Sequence, residues 1–188
     1  MGKQDRGCSL DFAGIEGKRT YLEFCERCPY YKTFMPVTGR GNIDAKIMLV
    51  GQEPGEEEDK TGQPFIGRSG LRYGTLLEEL GLRRRDVYTS NLVKCRLKDN
   101  MKQHTDKIKN HCGANWLFNE IIEVEPEYII ALGEQAYSWI RAQMGLFFPV
   151  DNVKLVKFPH PSAALRSPMM EARLRCATDE FKPKLERK

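Results

Sequence analysis

No run of apolar residues in this 188-residue chain reaches the roughly eighteen needed to cross a bilayer. The opening residues MGKQDRG lack the apolar segment of a secretory leader, and Arg6 stands where a myristoylation signal needs Ser or Thr. A cytoplasmic protein with no membrane partner is therefore expected. Internal repeats and low-complexity segments are absent, and neither sign of charge dominates. The 30 Lys and Arg against 26 Asp and Glu leave a formal charge of +4, which permits a polyanionic partner without demanding one. With 40% hydrophobic residues, and 30% charged residues spread along the chain, the composition is that of one folded domain. The expected organisation is a single domain over 1–188, with an N-terminal extension (1–20) and a basic tail (182–188).

A second close cysteine pair is also missing. Six cysteines are present, Cys8, Cys25, Cys28, Cys95, Cys112 and Cys176. In a reducing compartment they suggest metal ligation more than disulfides. Cys25 and Cys28 form a C-x-x-C pair whose thiolates can converge on one centre, and Cys95 and Cys112 are the other half of a possible set. A zinc ribbon wants two such pairs, so tetrahedral zinc is weakened. Spacing alone leaves a four-cysteine site level with buried, unligated thiols. His111 competes as a ligand, while Cys8 and Cys176 look like bystanders.

Four short apolar runs read as strands, namely Lys46 to Val50, Val87 to Val93, Tyr128 to Leu132 and Val153 to Phe158. Between them Tyr73, Leu76, Leu77 and Leu80 share one helical face that Gly81 ends, and Ile108, Cys112, Trp116, Leu117 and Ile121 share another. Ser167-Pro168 opens a last helix striped by Met170, Leu174, Ala177 and Phe181. This alternation predicts a three-layer α/β/α sandwich around a mainly parallel four-stranded sheet, with function at the carboxyl ends of the strands.

Three strand ends carry unusual residues. The first leads into a glycine-punctuated loop from Gly51 to Gly67, the second delivers Asn91 and then Cys95, and the third presents His160 between two prolines. Gly62 to Ser69 approximates a phosphate loop, but Arg68 replaces the lysine and the segment lies too far from its strand. Asp59-Lys60-Thr61-Gly62 echoes a phosphorylated aspartate motif of ion pumps, whose membrane helices are absent.

Together CERCPYYKT, DAKIMLVGQEPGEEEDKTGQPFIGRSG, DVYTSNLVKCR, EYIIALGEQA and HPSAALR resemble the uracil-DNA glycosylase superfamily, specifically its iron-sulfur branch, family 4. The resemblance runs from about Cys25 to the last helix. It implies an enzyme that hydrolyses the N-glycosidic bond of uracil in DNA at the start of base-excision repair. It also implies a structural 4Fe-4S cluster held by Cys25, Cys28, Cys95 and Cys112, and uracil-containing DNA as the partner of a monomer. By the same resemblance Phe65 stacks on the extruded uracil, Asn91 reads its edge and His160 donates to its O2 as charge develops, with Glu53 also at the base. Leu165 and Arg166 match the loop that enters DNA.

The match departs at two places. Gln52 stands where the family carries a glutamate that positions the attacking water, with Glu53 beside it and Glu58 as a further carboxylate that has a family counterpart. Gln52 still holds a water by hydrogen bonds, but it neither stabilises a sugar cation nor accepts a proton. Leu97-Lys98 replaces two prolines after Cys95. Two other readings therefore stand beside the enzyme: a DNA-binding sensor of damaged bases that has lost the chemistry, and a nucleotide-binding protein using the loop around Arg68.

Overall fold

A computed structural model describes residues 25, 28, 36–97, 105–144 and 153–186. Its sheet has five strands, β1 (Arg40–Gly41), β2 (Ile47–Gly51), β3 (Tyr88–Asn91), β4 (Tyr128–Leu132) and β5 (Lys154–Phe158), in the order β1-β3-β2-β4-β5. The four expected strands are all present and mutually parallel. The count of four is corrected by β1, which adds an antiparallel edge on β3. Two exposed residues carry no apolar alternation, so nothing in the sequence marks that edge.

β2, β3 and β4 are buried on both faces while the edge strand β5 is only partly covered, and the apolar side chains of β2 and β4 sort with period two. Met48, Val50, Ile129 and Ala131 enter one core, with Ile108, Trp116, Ile121, Ala136 and Ile140. Ile47, Leu49, Ile130 and Leu132 enter the other, with Tyr73, Leu76, Leu77, Leu174 and Phe181. The helices behind these residues form the outer layers. On the first face lie α3 (Thr105–Cys112), α4 (Phe118–Val124) and α5 (Glu134–Gln143). On the second lie α2 (Arg68–Glu79) and α7 (Pro168–Glu186). Two short helices, α1 (Glu56–Thr61) and α6 (Pro161–Ala164), sit at the strand ends. The three-layer sandwich is thus as expected.

Three details differ from the linear reading. The long loop after β2 contains α1, whose Gly62 ends it in the left-handed region at φ 70°. The apolar face from Ile108 to Ile121 is one continuous run, but Gly113–Leu117 widens to a π-helix directly after Cys112. The expected basic tail is also shorter, because α7 continues through residues 182–186 with Pro183 inside it. The 1–20 extension lies outside the described residues.

Gly113 is where α3 meets α5. A Cβ there would stand 2.4 Å from the Trp139 ring, which is itself held by its Nε1 donating to Asn110 Oδ1 at 2.9 Å. Gly74, inside α2, faces open space. Thermal unfolding should therefore separate the two: Gly113→Ala costs about 1–3 kcal/mol through overpacking, whereas Gly74→Ala stabilises by roughly 0.5–1 kcal/mol through helix propensity.

Candidate active site

The carboxyl ends of β2 and β3 are locked in register, with Gly51 opposite Asn91. The pairing continues past the strands, as Leu92 N donates to Gly51 O and Val93 N to Gln52 O, both at 2.9 Å. Gly51 is required here: a Cβ would lie 2.4 Å from Asn91 Oδ1 and 2.7 Å from the Phe65 ring. The missing side chain lets an amide and an aromatic face approach one another. Asn91 is 2% exposed, and its Oδ1 is buried with no hydrogen-bond partner. An orphaned acceptor of that kind costs stability unless a ligand satisfies it.

Phe65 is buried and sits at φ 53°, a conformation that a bulky residue rarely adopts. Three residues hold it there, and two of them, Arg84 and Gly70, lie outside the anticipated set. Arg84 donates to the carbonyls of Phe65 (2.7 Å) and Gly70 (3.1 Å). Gly70 itself leaves room, because a Cβ would meet Phe65 O at 2.2 Å. Glu58, buried in α1, accepts from the backbone N–H of Ile66 (3.0 Å) and Gly67 (2.9 Å). The ring is backed by Tyr73 at a centroid distance of 4.7 Å and approaches His160 at 6.1 Å. Glu58 is thus tied to loop backbone, and Arg84 and Gly70 were unmarked because their partners are distant in sequence.

His160 caps α6, with Pro161 as the first helical residue. Its Nδ1 accepts from Ser162 N at 3.1 Å and lies 2.8 Å from Ser162 Oγ. An Nδ1 that accepts a backbone N–H leaves the ring proton of a neutral imidazole on Nε2. Burial, assisted by the charge of Arg166 and opposed by Glu58, pushes its pKa down from 6.5 to about 4. His160 is therefore a neutral N–H donor at physiological pH. Gly133, at φ 93°, lets the β4 end come within 3.3 Å (as a Cβ) of the His160 Cβ.

Gln52 and Glu53 are both half-buried in the turn after β2, ahead of the buried Pro54. Leu165 is 49% exposed, so it is not core packing, and Arg166 is exposed beside it. With Ser162, Arg68, Ser69 and Glu56 to Glu58 they line a cleft of about 460 Å³. The acidic pair in its wall is offset by Lys60, 3.0 Å from Glu56 and 3.2 Å from Glu57.

On the other side of β3 a second pocket gathers Cys25, Cys28, Cys95 and Cys112 with Val93, Leu97, Ile108, Trp116 and His111. Trp116 Nε1 donates to Cys25 Sγ and Lys94 N to Cys112 Sγ, each at 3.2 Å. Burial raises the Cys25 thiol to about 11 and Cys112 to about 12, and it raises Cys95 as well. The bare thiols of Cys25, Cys95 and Cys112 stay protonated, and a metal centre is what would make thiolates favourable. Among the described residues no three His, Cys, Asp or Glu side chains already surround a single ion. Cys176 is exposed on α7, while Cys8 lies outside the described residues.

The α/β fold thus brings together at its strand ends Asn91 with its unpartnered Oδ1, the strained Phe65 and the neutral His160. The family model described as "Uracil DNA glycosylase superfamily" matches residues 38–185. The chain is 39% identical to a Type-4 uracil-DNA glycosylase of Thermotoga maritima over 159 residues, covering 79% of this chain and 82% of that one. Similar relatives carrying that description occur in Saccharolobus solfataricus (36% identity, 77% and 74% coverage) and Archaeoglobus fulgidus (32% identity, 78% and 80%). The chain belongs to the type-4 branch of the uracil-DNA glycosylase superfamily.

The state of His160 can be read by NMR titration of its ring. The imidazole should stay neutral through pH 5 and protonate near pH 4. The unfolded chain takes up that proton from about pH 6.5 downward. His160 thus subtracts stability as pH falls from about 6.5 to about 4 and adds no further slope below. A ring that titrates above pH 6 in the folded protein contradicts this assignment.

Proposed function

We propose that the protein is a monofunctional uracil-DNA glycosylase that hydrolyses the bond between uracil and deoxyribose and so begins base-excision repair. The observation that carries this reading is the buried, partnerless Asn91 Oδ1 beside the Phe65 ring across Gly51. No described helix is long and apolar enough to cross a membrane.

A base inside a duplex is out of reach, so the target nucleotide must leave the stack. Phe65 supplies a flat wall for it, and its strained backbone is held before any ligand arrives, so little ordering is left for binding. Asn91 Oδ1 accepts from uracil N3–H while Nδ2 donates to O4. Cytosine presents an acceptor and an amine at those positions, which leaves both amide groups mispaired. Exposed Leu165 fills the vacated stack, and Arg166 meets phosphate.

As the C1′–N1 bond breaks, its electron pair goes to uracil and negative charge grows on O2. The His160 Nε2–H donates there, and because the imidazole is neutral it stabilises the charge without transferring its proton. Gln52 orients a water toward C1′. The water oxygen forms the new bond, its proton passes to solvent, and uracil leaves as an anion. Glu58 acts through the loop backbone that carries Phe65, so it is a positioning residue. Glu53 lies next to Gln52 on the turn that borders the base.

Cys25, Cys28, Cys95 and Cys112 would hold a 4Fe-4S cluster. The fit rests on four thiols in one apolar pocket, two of them already accepting N–H bonds. When bound, the cluster supplies cross-linking of the β3 end to α3 and no redox step.

A glycosylase assay on a single-uracil oligonucleotide, with anaerobically purified protein of known iron content, tests the whole reading. Abasic product is expected, and its absence from iron-replete protein refutes it. Asn91→Ala and His160→Ala should each lower kcat/KM by about two to four powers of ten. Gln52→Glu should raise kcat roughly tenfold or more, by restoring a carboxylate next to the sugar cation.

A further inference from the structure

Lys94 and Glu120 have no part in the chemistry above, yet they form the most deeply buried ion pair among the described residues. Their side chains are 1% and 3% exposed, with Nζ and Oε2 2.7 Å apart. Burying two charges costs several kcal/mol per ion unless every remaining lone pair and proton is matched. Here all three ammonium protons and both carboxylate oxygens have partners. The three ammonium protons of Lys94 go to Glu120 Oε2, to Ser90 Oγ at 2.6 Å and to the Asn91 carbonyl at 2.7 Å. Glu120 Oε2 also accepts from Ser90 Oγ at 2.6 Å, and Oε1 accepts from Gly39 N at 3.0 Å.

The same residue is bound into the thiol pocket through its backbone. Lys94 N donates to Cys112 Sγ, Lys94 O accepts from Val37 N at 2.6 Å, and the next residue is Cys95. One lysine thus grips the main chain of Asn91 with its ammonium and Cys112 with its amide. A hydrophobic side chain at position 94 would fill the space without joining the two sites.

We propose that Lys94 is a positioning residue that couples the four-cysteine site to the base-reading Asn91, so that a change at either site is felt at the other. This rests on the cluster and base-pocket roles assigned above. A shift of the Asn91 backbone on seating a base moves the Nζ end of the network, and the Lys94 amide transmits it to Cys112. Coupling between two sites is reciprocal, so an occupied base pocket must perturb the cluster.

The test is the visible circular dichroism of the cluster in the anaerobically purified full chain, with and without saturating free uracil. A uracil-dependent change is expected in the wild type and none in Asn91→Ala, which no longer binds the base. In Lys94→Met/Glu120→Gln, which removes both charges together and leaves an acceptor for Gly39 N, iron per chain should be unchanged. The uracil-dependent signal should fall roughly fivefold or more there. Ser90→Ala, a milder cut in the same network, should fall between the two and decides the matter if the double variant does not fold. Absence of any change in the wild type, or an undiminished change in the network variants, overturns the coupling. Iron-free wild type overturns the cluster assignment, and with it this proposal. Unaltered uracil affinity in Asn91→Ala overturns the base-pocket assignment instead.

Discussion

The parallel register of β2 and β3 is the constraint on which the site depends. It sets Gly51 against Asn91 and continues through Leu92 and Val93 onto Gly51 and Gln52. Every residue that follows inherits its position from that ladder: Gln52 on one strand, and Lys94 and Cys95 on the other. A slip of one residue would turn Asn91 to the opposite face and set a side chain where the Phe65 ring now stands. The register is secured by burial, because Met48 with Val50 and Ile47 with Leu49 belong to different cores and neither pair tolerates the other side.

Around this ladder the protein spends stability on polar groups where an apolar core would be cheaper. Glu58 is buried to hold two loop amides, and Lys94 with Glu120 is buried to hold a strand end. Phe65 is kept in a left-handed backbone conformation that costs of order 1–3 kcal/mol. Asn91 Oδ1 is left without a partner. These costs lie at the carboxyl ends of the strands, where pre-organisation lowers the work left for substrate binding. Farther from the site, the T-shaped contacts of Phe181 with Tyr128 and Phe158 are ordinary apolar packing.

The electrostatics of the pocket follow from the same economy. His160 could carry charge only at the cost of desolvation, so it serves as a neutral donor whose tautomer is set by Ser162. Gln52 likewise brings no charge to the turn after β2. In the proposed reaction the pocket offers hydrogen-bond donors to developing charge.

Much of this was legible in the residues. Short apolar runs marked β2 and β4 most clearly, because burial on both faces leaves an unbroken apolar run there, while β3 and β5 carried weaker versions of the pattern. Asn91, Cys95 and His160 stood out at strand ends and Cys25 with Cys28 as a C-x-x-C pair, whereas Phe65 and the full four-cysteine set came from the family resemblance. The edge strand Arg40–Gly41, the π-helix after Cys112 and the supports Arg84, Gly70 and Lys94 did not stand out. Their roles come from hydrogen bonds and close approaches between residues remote in sequence, or from backbone geometry that no side-chain pattern encodes. Local periodicity thus determined the layers and the order of the strands' contents. Only the packed structure decided which polar groups would be buried, which would be matched, and that Asn91 Oδ1 would be left open.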